Sequence, residues 1–287
     1  MPELPEVETV RLQLLHKVRG KQIARVEVHH PKTSGFDDTF ADRLSRRTIE
    51  HIDRIGKLLI VSFENEVDIF LLAHLKMTGQ FFYRDASGVS GGGHSLTPAD
   101  TKALPNKHTR TAFYFTDDSA LFFNDMRLFG YTKLADAATV AVARSGFGPE
   151  PIDPEFDLEW FAARLRKRKT PVKAALLDQS FVAGLGNIYV DEALWRAHVR
   201  PMRRADRVTK KEAFVLGEAA GAVMRESIAV GGTTFQHFVD TGGENGNFTD
   251  YLKVFGQQHK PCERCDTLIK KTRCAGRGTH YCPGCQT

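Results

Sequence analysis

The sequence predicts an α+β chain of several domains: an N-terminal helix and a β-sandwich or barrel, then a helical region, then a small C-terminal hairpin. Three observations support this order. Short runs rich in Ile, Val, Phe and Tyr recur from Ile23 to Lys133. A stretch dense in glycine and proline, Gly146–Pro154, separates these runs from segments with helical spacing. All five cysteines lie beyond residue 261.

The first predicted element is a helix over residues 2–18. Pro2 and Pro5 fall in its first turn, where a missing amide hydrogen costs nothing. Apolar residues recur along one face of this helix, at Val7, Val10, Leu14 and Val18. The helix therefore offers an apolar face to the β-region that follows it.

The β-region is predicted from short strand-like runs bounded by turn residues. Its clearest strands are Ile23–Val28, Leu58–Phe63, Asp68–Leu72, Thr111–Phe115 and Ala120–Phe123. The glycine- and serine-rich segment Ser87–Ser95 is interpreted as a flexible loop between strands. The first half is therefore predicted to be a β-sandwich or barrel with an N-terminal helix.

Beyond the Gly146–Pro154 break, which we interpret as an interdomain linker, the pattern is helical. The predicted helices are Leu158–Arg168, Val172–Asp178, Ile188–Arg196 and Lys210–Val230, and Phe235–Phe255 is predicted to be loop-like. We place the domain boundaries at residues 1–147, 148–250 and 251–287.

Hydropathy and charge limit the class of protein and the kind of partner. No apolar run is long enough to cross a bilayer, and the acidic N-terminus does not resemble a signal peptide, so we expect a cytosolic protein. The formal net charge is +5, and residues 251–287 alone hold seven basic and two acidic residues. A second cluster, Arg164–Lys173, holds six basic residues and no acid. These clusters suggest a polyanionic partner, although either one alone is equally compatible with a solvated surface.

Two CxxC pairs predict a metal site in the tail. Cys262 and Cys265 form the first pair, and Cys282 and Cys285 form the second. This spacing is typical of one tetrahedral zinc ion, whose binding would fold a segment too small to bury a core. A disulfide is disfavoured because nothing indicates an oxidising compartment. Cys274 breaks the paired spacing, so we expect a free thiol there rather than a fifth candidate ligand.

The hairpin between the cysteine pairs would carry basic residues at its tip. Arg277 lies between Gly276 and Gly278, where a guanidinium can approach a phosphate closely. An exposed turn arginine without a ligand is the alternative.

The N-terminus suggests amine chemistry. Pro2 follows Met1, and a small residue there normally allows removal of the initiator methionine, which would leave a secondary amine. An α-amino group titrates at about 7.7–8.0, so part of it is neutral and nucleophilic at pH 7. Such an amine attacking a sugar C1′ forms an iminium. Glu3 and Glu6 lie beside it, although acids at a helix start also stabilise the helix dipole.

Several motifs together resemble the bacterial formamidopyrimidine-DNA glycosylase family. The start MPELPEVETV is similar to the family's N-terminus, and further similar motifs follow in the family's order over nearly the whole chain. They are His74–Gly79 (HLKMTG), Asp125–Gly130 (DMRLFG), Gly148–Pro151 (GPEP), Gly184–Tyr189 (GLGNIY) and Gly276–Thr279 (GRGT), together with the two CxxC pairs.

The resemblance implies a bifunctional glycosylase and abasic-site lyase of base excision repair. Pro2 would attack C1′ of an oxidised purine nucleoside and form a Schiff base, and β- and δ-eliminations would then cut the strand. Glu3 would protonate the sugar ring oxygen, Glu6 matches a second acid, and Lys57 matches a lysine that reaches the active site. From the residues alone, Lys57 would be an ordinary strand-end lysine.

The resemblance also implies a set of DNA contacts. Met77, Arg127 and Phe129 would fill the gap left by the everted base; from the residues alone, Met77 and Phe129 would be core side chains. Asn187 would bind phosphate at the start of a helix in a helix–two-turns–helix domain, although an asparagine there is most often just an N-cap. His108 matches a position near the DNA backbone, and Gly242–Phe248 matches a loop that folds over the base.

The partners and location follow from the same resemblance. We expect one structural zinc ion held by the four paired cysteines, duplex DNA with oxidised bases as the partner, a monomer, and a cytoplasmic bacterial protein associated with the nucleoid. Some positions depart from the family's pattern: Lys76 replaces a glycine, Met126 and Leu128 replace a proline and an arginine, and the loop Asp85–Pro105 is longer.

Two alternatives remain open. One is the sister glycosylase endonuclease VIII, which prefers oxidised pyrimidines; Leu4, the ending at Val10 and the Gly242–Phe248 loop favour the purine branch. The other is a noncatalytic DNA-binding protein with a zinc hairpin, which the intact Pro2, Glu3 and Lys57 disfavour.

Overall fold

The computed structural model describes residues 2–92, 104–233 and 248–287. The chain divides into two compact units. The first comprises Met1–Ser145 with Gly231–Asn247, and the second comprises Gly146–Val230 with Phe248–Thr287. The cysteine-containing tail therefore belongs to the same unit as the helical region.

The first unit is a helix packed on a β-sandwich, as predicted. Its strands form two antiparallel sheets, with the described strands in the orders β1-β7-β8-β5-β6 and β2-β3-β4-β9. The elements are α1 (Leu4–Val18), β1 (Ile23–Val28), α2 (Phe40–Leu44), β2 (Ile49–Ile55), β3 (Leu58–Phe63), β4 (Phe70–His74), β5 (Gly79–Asp85), β6 (Gly88–Gly92), β7 (Thr109–Phe115), β8 (Ala120–Asp125), β9 (Tyr131–Ala135) and α3 (Ala137–Ser145).

The core of this unit lies between the two sheets and α1. The predicted apolar face of α1 is buried there, and both sheets contribute aromatic side chains. Fully buried members include Val10, Phe40, Phe63 and Phe123, each 0% exposed. Burial of such a side chain stabilises a fold by about 1.5–3 kcal/mol. The sandwich is thus a rigid support for its turns.

Three local predictions were wrong. The strand predicted at Asp68–Leu72 runs from Phe70 to His74. Part of the predicted loop Ser87–Ser95 is strand β6, in which Gly91 lets the backbone lie against Phe82, since a Cβ there would come within 2.3 Å of the ring. Residues 93–103 lie outside the described part.

The third concerns the start of α1, which begins at Leu4 rather than at residue 2. Glu3 is its N-cap with an extended backbone, so Pro2 precedes the helix. The carboxylate of Glu6 accepts the Glu3 amide hydrogen at 2.7 Å and closes the helix start. Capping chemistry, rather than the prolines, therefore sets the helix boundary.

A partly buried ion-pair network fastens the β2–β3 hairpin to α1. Arg54 Nε donates to Glu8 Oε2 at 2.8 Å, and its Nη1 donates to the Gly56 carbonyl at 2.9 Å. Arg11 pairs with Glu8 at 2.6 Å and donates to the Ile52 carbonyl at 3.0 Å. Burial alone would raise the pKa of the Glu8 carboxyl, but the hydrogen bonds from Arg11 and Arg54 outweigh it and lower that pKa. The hairpin turn, Gly56–Lys57, is thereby fixed relative to α1.

The second unit contains helices and a short hairpin. Its elements are α4 (Leu158–Leu165), α5 (Val172–Leu177), α6 (Asn187–Arg196), a 3₁₀ turn (Ala205–Arg207), α7 (Lys210–Ala229), a second 3₁₀ turn (Phe248–Tyr251), β10 (Lys270–Cys274) and β11 (Arg277–Tyr281). The segment predicted to be a linker packs closely: a Cβ on Gly148 would lie 2.2 Å from the Phe181 carbonyl oxygen. That glycine allows the segment to lie directly on the turns between α5 and α6.

We predict that Glu8→Gln lowers the free energy of unfolding by about 2 kcal/mol at pH 7, because two arginines lose their partly buried carboxylate. The pKa of Glu8 is lowered in the folded protein, so this stabilisation is complete above the pKa of the unfolded chain, about 4.3. It is lost as the pH falls through the lower folded value. Urea titrations at pH 7 and pH 4 measure the difference.

The control is Glu50→Gln, an exposed glutamate on the same strand β2. It should change the free energy of unfolding by less than about 0.5 kcal/mol at either pH. A Glu8→Gln effect as small as that of Glu50→Gln at pH 7 would show that the network does not fasten the hairpin.

Candidate functional site

The start of α1 collects buried polar groups. Pro2 is buried, and Glu3 and Glu6 are 4% and 2% exposed. One oxygen of Glu6 holds the Glu3 amide, and the other accepts the Thr233 amide hydrogen at 2.9 Å. Glu6 therefore connects the N-terminal segment to Thr233, which follows α7 and belongs to the same unit.

Lys57 occupies the β2–β3 turn and is 8% exposed. The register of β3 with β4 pairs Leu59 with Ala73, which brings His74 near this turn. Desolvation, together with the positive charges of Lys76 and Lys57, lowers the pKa of His74 to about 3. His74 is thus neutral, and its Nδ1 accepts the Lys76 amide hydrogen at 3.1 Å. The region therefore combines the buried Lys57 cation with a neutral histidine that holds the backbone of the following turn.

Two crossings between the sheets place a second group of residues side by side. The β4–β5 turn holds Met77, and the β8–β9 turn holds Arg127 and Phe129. They are neighbours because β5 pairs with β8, Gly79 opposite Asp125, and β4 pairs with β9, His74 opposite Tyr131. Residues about 50 positions apart in the sequence are thereby brought to one end of the sandwich.

The side chains on these turns form an exposed cluster rather than a core. Met77 is 40% exposed and Phe129 is 49% exposed, so both apolar side chains lie on the surface. Arg127 connects them, with Nη1 at 3.6 Å from the Met77 sulfur and the guanidinium at 4.7 Å from the Phe129 ring centroid. The structure therefore excludes core packing for Met77 and Phe129, the interpretation that the residues alone favoured.

Both turns contain a non-glycine residue in the left-handed backbone region. Lys76 has φ +52° and Leu128 has φ +56°. A glycine would adopt this conformation without strain, whereas a side chain costs about 1–2 kcal/mol. The conformation explains why a glycine suits position 76 and why lysine there is a departure with an energetic cost.

His108 lies in a third segment next to these turns. Its carbonyl oxygen accepts the Asp125 amide hydrogen at 2.9 Å, and its own amide donates to Asn106 Oδ1 at 2.9 Å. The ring is half-buried, and its Nδ1 has no hydrogen-bond partner within the described residues. That nitrogen is therefore a buried polar atom for which the described residues supply no hydrogen bond.

In the second unit, Asn187 begins α6, but it is not the N-cap. Gly186 occupies that position, and Asn187 Nδ2 donates to the Gly278 carbonyl at 3.0 Å. Its Oδ1 is buried, with no partner in the described part of the chain. The amide therefore links α6 to the β10–β11 hairpin instead of closing the helix.

A buried ion pair makes the same link. Lys173 and Asp191 are both 0% exposed, with Nζ and Oδ1 2.7 Å apart, and Lys173 Nζ also donates to the Gly278 carbonyl at 3.1 Å. Asp191 Oδ2 accepts the His280 amide hydrogen at 2.8 Å. Loss of one partner from such a pair costs about 3–5 kcal/mol. The hairpin tip is thus held rigidly against α5 and α6.

Arg277 is exposed at this tip. The hairpin turns at Ala275 and Gly276, with φ +52° and +71°, which is the two-residue turn favoured by twisted strands. Arg273 and Lys271 on the same hairpin are also exposed. The tip therefore presents positive charge on a fixed backbone.

The four paired cysteines converge as predicted. Their Sγ atoms all lie within 4.8 Å of one another, with Cys262 3.8 Å from Cys285 and Cys265 3.4 Å from Cys282. Four sulfurs at about 2.3 Å from one zinc ion are separated by about 3.8 Å, so the set fits a single structural zinc. Trp195 Nε1 lies 3.4 Å from the Cys262 sulfur and orients this ligand from α6.

Cys274 is not part of this set. It is buried elsewhere on the hairpin, 3.7 Å from the Pro201 carbonyl oxygen, and burial raises the pKa of its thiol. The cluster of candidate metal ligands thus contains the four paired cysteines without Cys274, in agreement with the expectation that Cys274 is not a ligand.

Sequence reasoning missed several polar residues that organise these sites. Asp125, Lys173, Asp191 and Glu192 are all buried, and the Glu192 carboxylate accepts amide hydrogens from residues 253–255 just before the zinc site. Burial raises the pKa of Glu192. Asp125 lies within a motif that was identified, but no local pattern marks its contacts. The predicted loop Gly242–Phe248 lies outside the described residues except for Phe248.

None of the helices among the described residues has both the length and the mean hydropathy that a membrane-spanning helix needs.

Comparisons with known proteins give one consistent result. Three family models match: the formamidopyrimidine-DNA glycosylase N-terminal domain at residues 1–132, the formamidopyrimidine-DNA glycosylase H2TH domain at 147–239, and the zinc finger found in FPG and IleRS at 260–287. A formamidopyrimidine-DNA glycosylase of Lactiplantibacillus plantarum is 41% identical over 99% of this chain and 98% of its own length.

Solved structures are also similar over their whole length. A Lactococcus lactis FPG mutant in complex with DNA containing Fapy-dG has a TM-score of 0.87 and 33% identity, and covers 100% of both chains. The wild-type Lactococcus lactis protein, in complex with DNA containing an oxidised pyrimidine, has a TM-score of 0.86 at 33% identity and the same coverage.

We predict that Cys274→Ser retains about one equivalent of zinc per chain, whereas Cys265→Ser loses most of it, because only the second variant removes a ligand. Metal analysis by mass spectrometry after dialysis against a mild chelator measures both. Full zinc content in Cys265→Ser, or its loss from Cys274→Ser, would show that different thiols hold the ion.

Proposed function

Because the chain belongs to the formamidopyrimidine-DNA glycosylase family, we propose that it is a bifunctional DNA glycosylase and abasic-site lyase. It removes oxidised purines, such as 8-oxoguanine and formamidopyrimidines, from duplex DNA and then cuts the strand. Residues 1–147 would hold the catalytic groups, and residues 148–250 and 251–287 would bind the duplex.

The buried arrangement at the start of α1 is the observation that carries this proposal. Glu6 fixes the backbone of the Pro2–Glu3 segment, and the Arg54–Glu8 pair fixes the turn that holds Lys57. Rigid support of this kind is what a reacting group needs, since catalysis depends on positioning within fractions of an ångström.

The chemistry begins with the α-amine of Pro2, once Met1 has been removed. The nitrogen lone pair attacks C1′ of the damaged nucleoside. The base departs with the electron pair of the glycosidic bond and takes up the proton that the amine loses. Glu3 gives its proton to the ring oxygen, the sugar opens, and the nitrogen becomes an iminium. Because the amine is secondary, the iminium carries its charge permanently.

Strand cleavage follows from that charge. The iminium acidifies the C2′ hydrogen; when this proton leaves, its electron pair expels the 3′ phosphate. A second elimination expels the 5′ phosphate, and water then releases the sugar fragment and the amine. The carboxylate left on Glu3 after ring opening is a nearby base for these proton transfers.

Glu6 and Lys57 have supporting roles in this scheme. Glu6 positions the attacking segment through the Glu3 amide, and Lys57 supplies a buried positive charge that donates hydrogen bonds to the bound nucleotide. The positive charge of Lys57 also disfavours protonation of His74, which remains a neutral acceptor for the turn that carries Met77.

The exposed cluster on the sandwich turns suits the gap left by an everted base. Met77 and Phe129 present apolar surfaces that stack against bases, and Arg127 donates to the acceptor edge of the orphaned partner base. His108, Asn187 and Arg277 would contact the phosphate backbone. The Arg277 guanidinium is exposed, and Asn187 Nδ2 has a second hydrogen to donate besides the one that it gives to the Gly278 carbonyl. The enzyme would act as a monomer in the bacterial cytoplasm, at the nucleoid.

Oxidised pyrimidines are a second candidate substrate class. The Lactococcus lactis relative has been crystallised with DNA containing such a base as well as with Fapy-dG DNA. We propose purines as the main class because the relatives are named for formamidopyrimidine lesions. Excision rates on matched duplexes with one lesion of each class decide between them.

We predict that borohydride captures a covalent complex between this protein and duplex DNA containing 8-oxoguanine. Reduction converts the iminium to a stable amine, so peptide mapping should locate the DNA fragment on Pro2 in a chain that lacks Met1. An adduct on Lys57, or full activity in a chain that retains Met1, would refute Pro2 as the nucleophile.

Glu3→Gln is the matched control in this experiment, since it retains the amine but removes the acid. It should still be captured on a preformed abasic site while losing at least about a hundredfold in base removal, the usual contribution of a general acid. Unchanged base removal by Glu3→Gln would exclude Glu3 as the essential acid.

We predict that Phe129→Ala and Arg127→Ala slow excision from duplex DNA by about tenfold, because an unfilled gap leaves the cost of unstacking uncompensated. The reaction with a preformed abasic site should change less. Arg127→Ala should also reduce the preference for cytosine over adenine opposite the lesion. Single-turnover rates measure both effects on four duplexes, in which 8-oxoguanine or an abasic site lies opposite cytosine or adenine.

Two controls accompany these variants. Phe129→Leu retains an apolar side chain and should preserve most of the excision rate. Arg19→Ala removes an exposed arginine at the C-terminal end of α1, away from the turns, and should leave the excision rate unchanged. If Arg127→Ala keeps the parent's opposite-base preference, Arg127 is not the residue that reads the partner base.

A further inference from the structure

Asp125 is a buried carboxylate at the point where β8 leaves its sheet, and it is 1% exposed. Its side chain accepts hydrogen bonds from both crossing turns. Oδ1 accepts the Thr78 hydroxyl from the β4–β5 turn and the Arg127 amide hydrogen at 3.1 Å. Oδ2 accepts the Gly130 amide hydrogen at 2.7 Å. One carboxylate therefore holds both ends of the Arg127–Phe129 turn and the turn that carries Met77.

Thr78 completes this connection. Its hydroxyl donates to Asp125 and at the same time accepts the Arg127 amide hydrogen at 3.1 Å. The hydroxyl thus connects the two turns directly, although they are far apart in the sequence. A hydroxyl with both a donor and an acceptor partner is held in a single orientation.

The backbone of Asp125 extends the connection to a third segment. Its amide donates to the His108 carbonyl, and its carbonyl accepts Arg110 Nε at 2.7 Å. Arg110 Nη1 also donates to the Lys107 carbonyl at 3.1 Å. Every segment of the first unit that the proposed function places against DNA outside the catalytic pocket is therefore hydrogen-bonded to this one residue.

Two glycines lie in close contact with their surroundings at these turns. A Cβ on Gly130 would lie 3.2 Å from Asp125 Oδ2, 3.0 Å from the His74 carbonyl oxygen and 2.8 Å from the Phe123 ring. A Cβ on Gly79 would lie 2.4 Å from the Leu75 carbonyl oxygen. Glycines on both turns thus permit the close approach that the hydrogen bonds require.

We propose that Asp125 and Thr78 form a latch that keeps Met77 in register with Arg127 and Phe129, so that the three side chains enter the duplex as one rigid unit. Both are positioning residues, because they act through the three side chains and do not themselves touch DNA. The proposal rests on the proposed function, in which those three side chains fill the gap left by the everted base.

Thr78→Val is the most specific variant, because it removes the bridging hydroxyl and keeps the branched shape. It should lower the excision rate on duplex DNA about fivefold to tenfold, the effect of one well-placed hydrogen bond. Strand cleavage at an abasic site in a single-stranded oligonucleotide, which has no gap to fill, should change less than about twofold. Thr78→Ser should restore the duplex rate, since it restores the hydroxyl.

Thr111→Val is the matched control. Thr111 is fully buried in the same sandwich, and its hydroxyl lies 3.1 Å from the Thr132 hydroxyl, so the variant removes a buried hydrogen bond away from the latch. Its ratio of duplex to single-strand rates should equal that of the parent. Equal losses on both substrates in Thr78→Val, or an unchanged duplex rate, would overturn the latch.

A combination with Met77→Ala tests whether the side chains act as one unit. If the latch works by positioning them, the double variant Met77→Ala/Thr78→Val should lose less than the product of the two single losses. Fully multiplicative losses would mean that Thr78 and Met77 act independently, which contradicts a rigid unit.

Hydrogen exchange tests the latch without catalysis. Amides of the peptide spanning residues 126–131 should exchange faster in Thr78→Val than in the parent or in Thr111→Val, because the Arg127 amide loses an acceptor. Equal protection in all three proteins overturns the latch even if excision is intact. A parent protein that excises no damaged base would instead refute the proposed function, and the exchange result would still decide the latch.

Discussion

The antiparallel register of two strand pairs determines where the β4–β5 and β8–β9 turns of the first unit lie. Gly79 pairs with Asp125, and His74 pairs with Tyr131. These two pairings place the β4–β5 and β8–β9 crossings side by side. A shift of one residue in either pair would reverse the faces of a whole strand and separate Met77 from Phe129. The buried aromatic core between the sheets fixes that register, so the exposed cluster depends on residues that never meet a ligand.

Charged groups with little exposure then hold the turns in the positions that the strand register gives them. In the first unit, Glu6 and the Arg54–Glu8 pair hold the N-terminal segment and the Lys57 turn, and Asp125 holds the crossings. In the second unit, Lys173 and Asp191 hold the hairpin that the zinc site stabilises. Such groups are costly to bury and are poor sources of net stability. Their distribution indicates that they maintain geometry at the functional surfaces.

The sequence was most informative where the signal is local. The CxxC spacing identified the four zinc ligands, and apolar runs located β1 and β3 to the residue, because ligand spacing and side-chain alternation act over a few positions. Strand β6 was missed because its glycines carry no alternating pattern, and the reason for Gly91, its close approach to the Phe82 ring, is visible only in the structure. The exposure of Met77 and Phe129 was expected only from the family resemblance. Thr78 and Asp125 lie 47 positions apart, and no local feature predicts their contact.

The central claim is that an N-terminal amine attacks the sugar while side chains from the crossing turns occupy the gap in the duplex. A crystal structure of the borohydride-reduced complex with lesion-containing duplex DNA tests it most directly. The account predicts continuous electron density between the Pro2 nitrogen and C1′ of the opened sugar, with Met77, Arg127 and Phe129 inside the helical stack opposite the orphaned base. Density joining the sugar to a different residue, or a stack filled by other side chains, would contradict it.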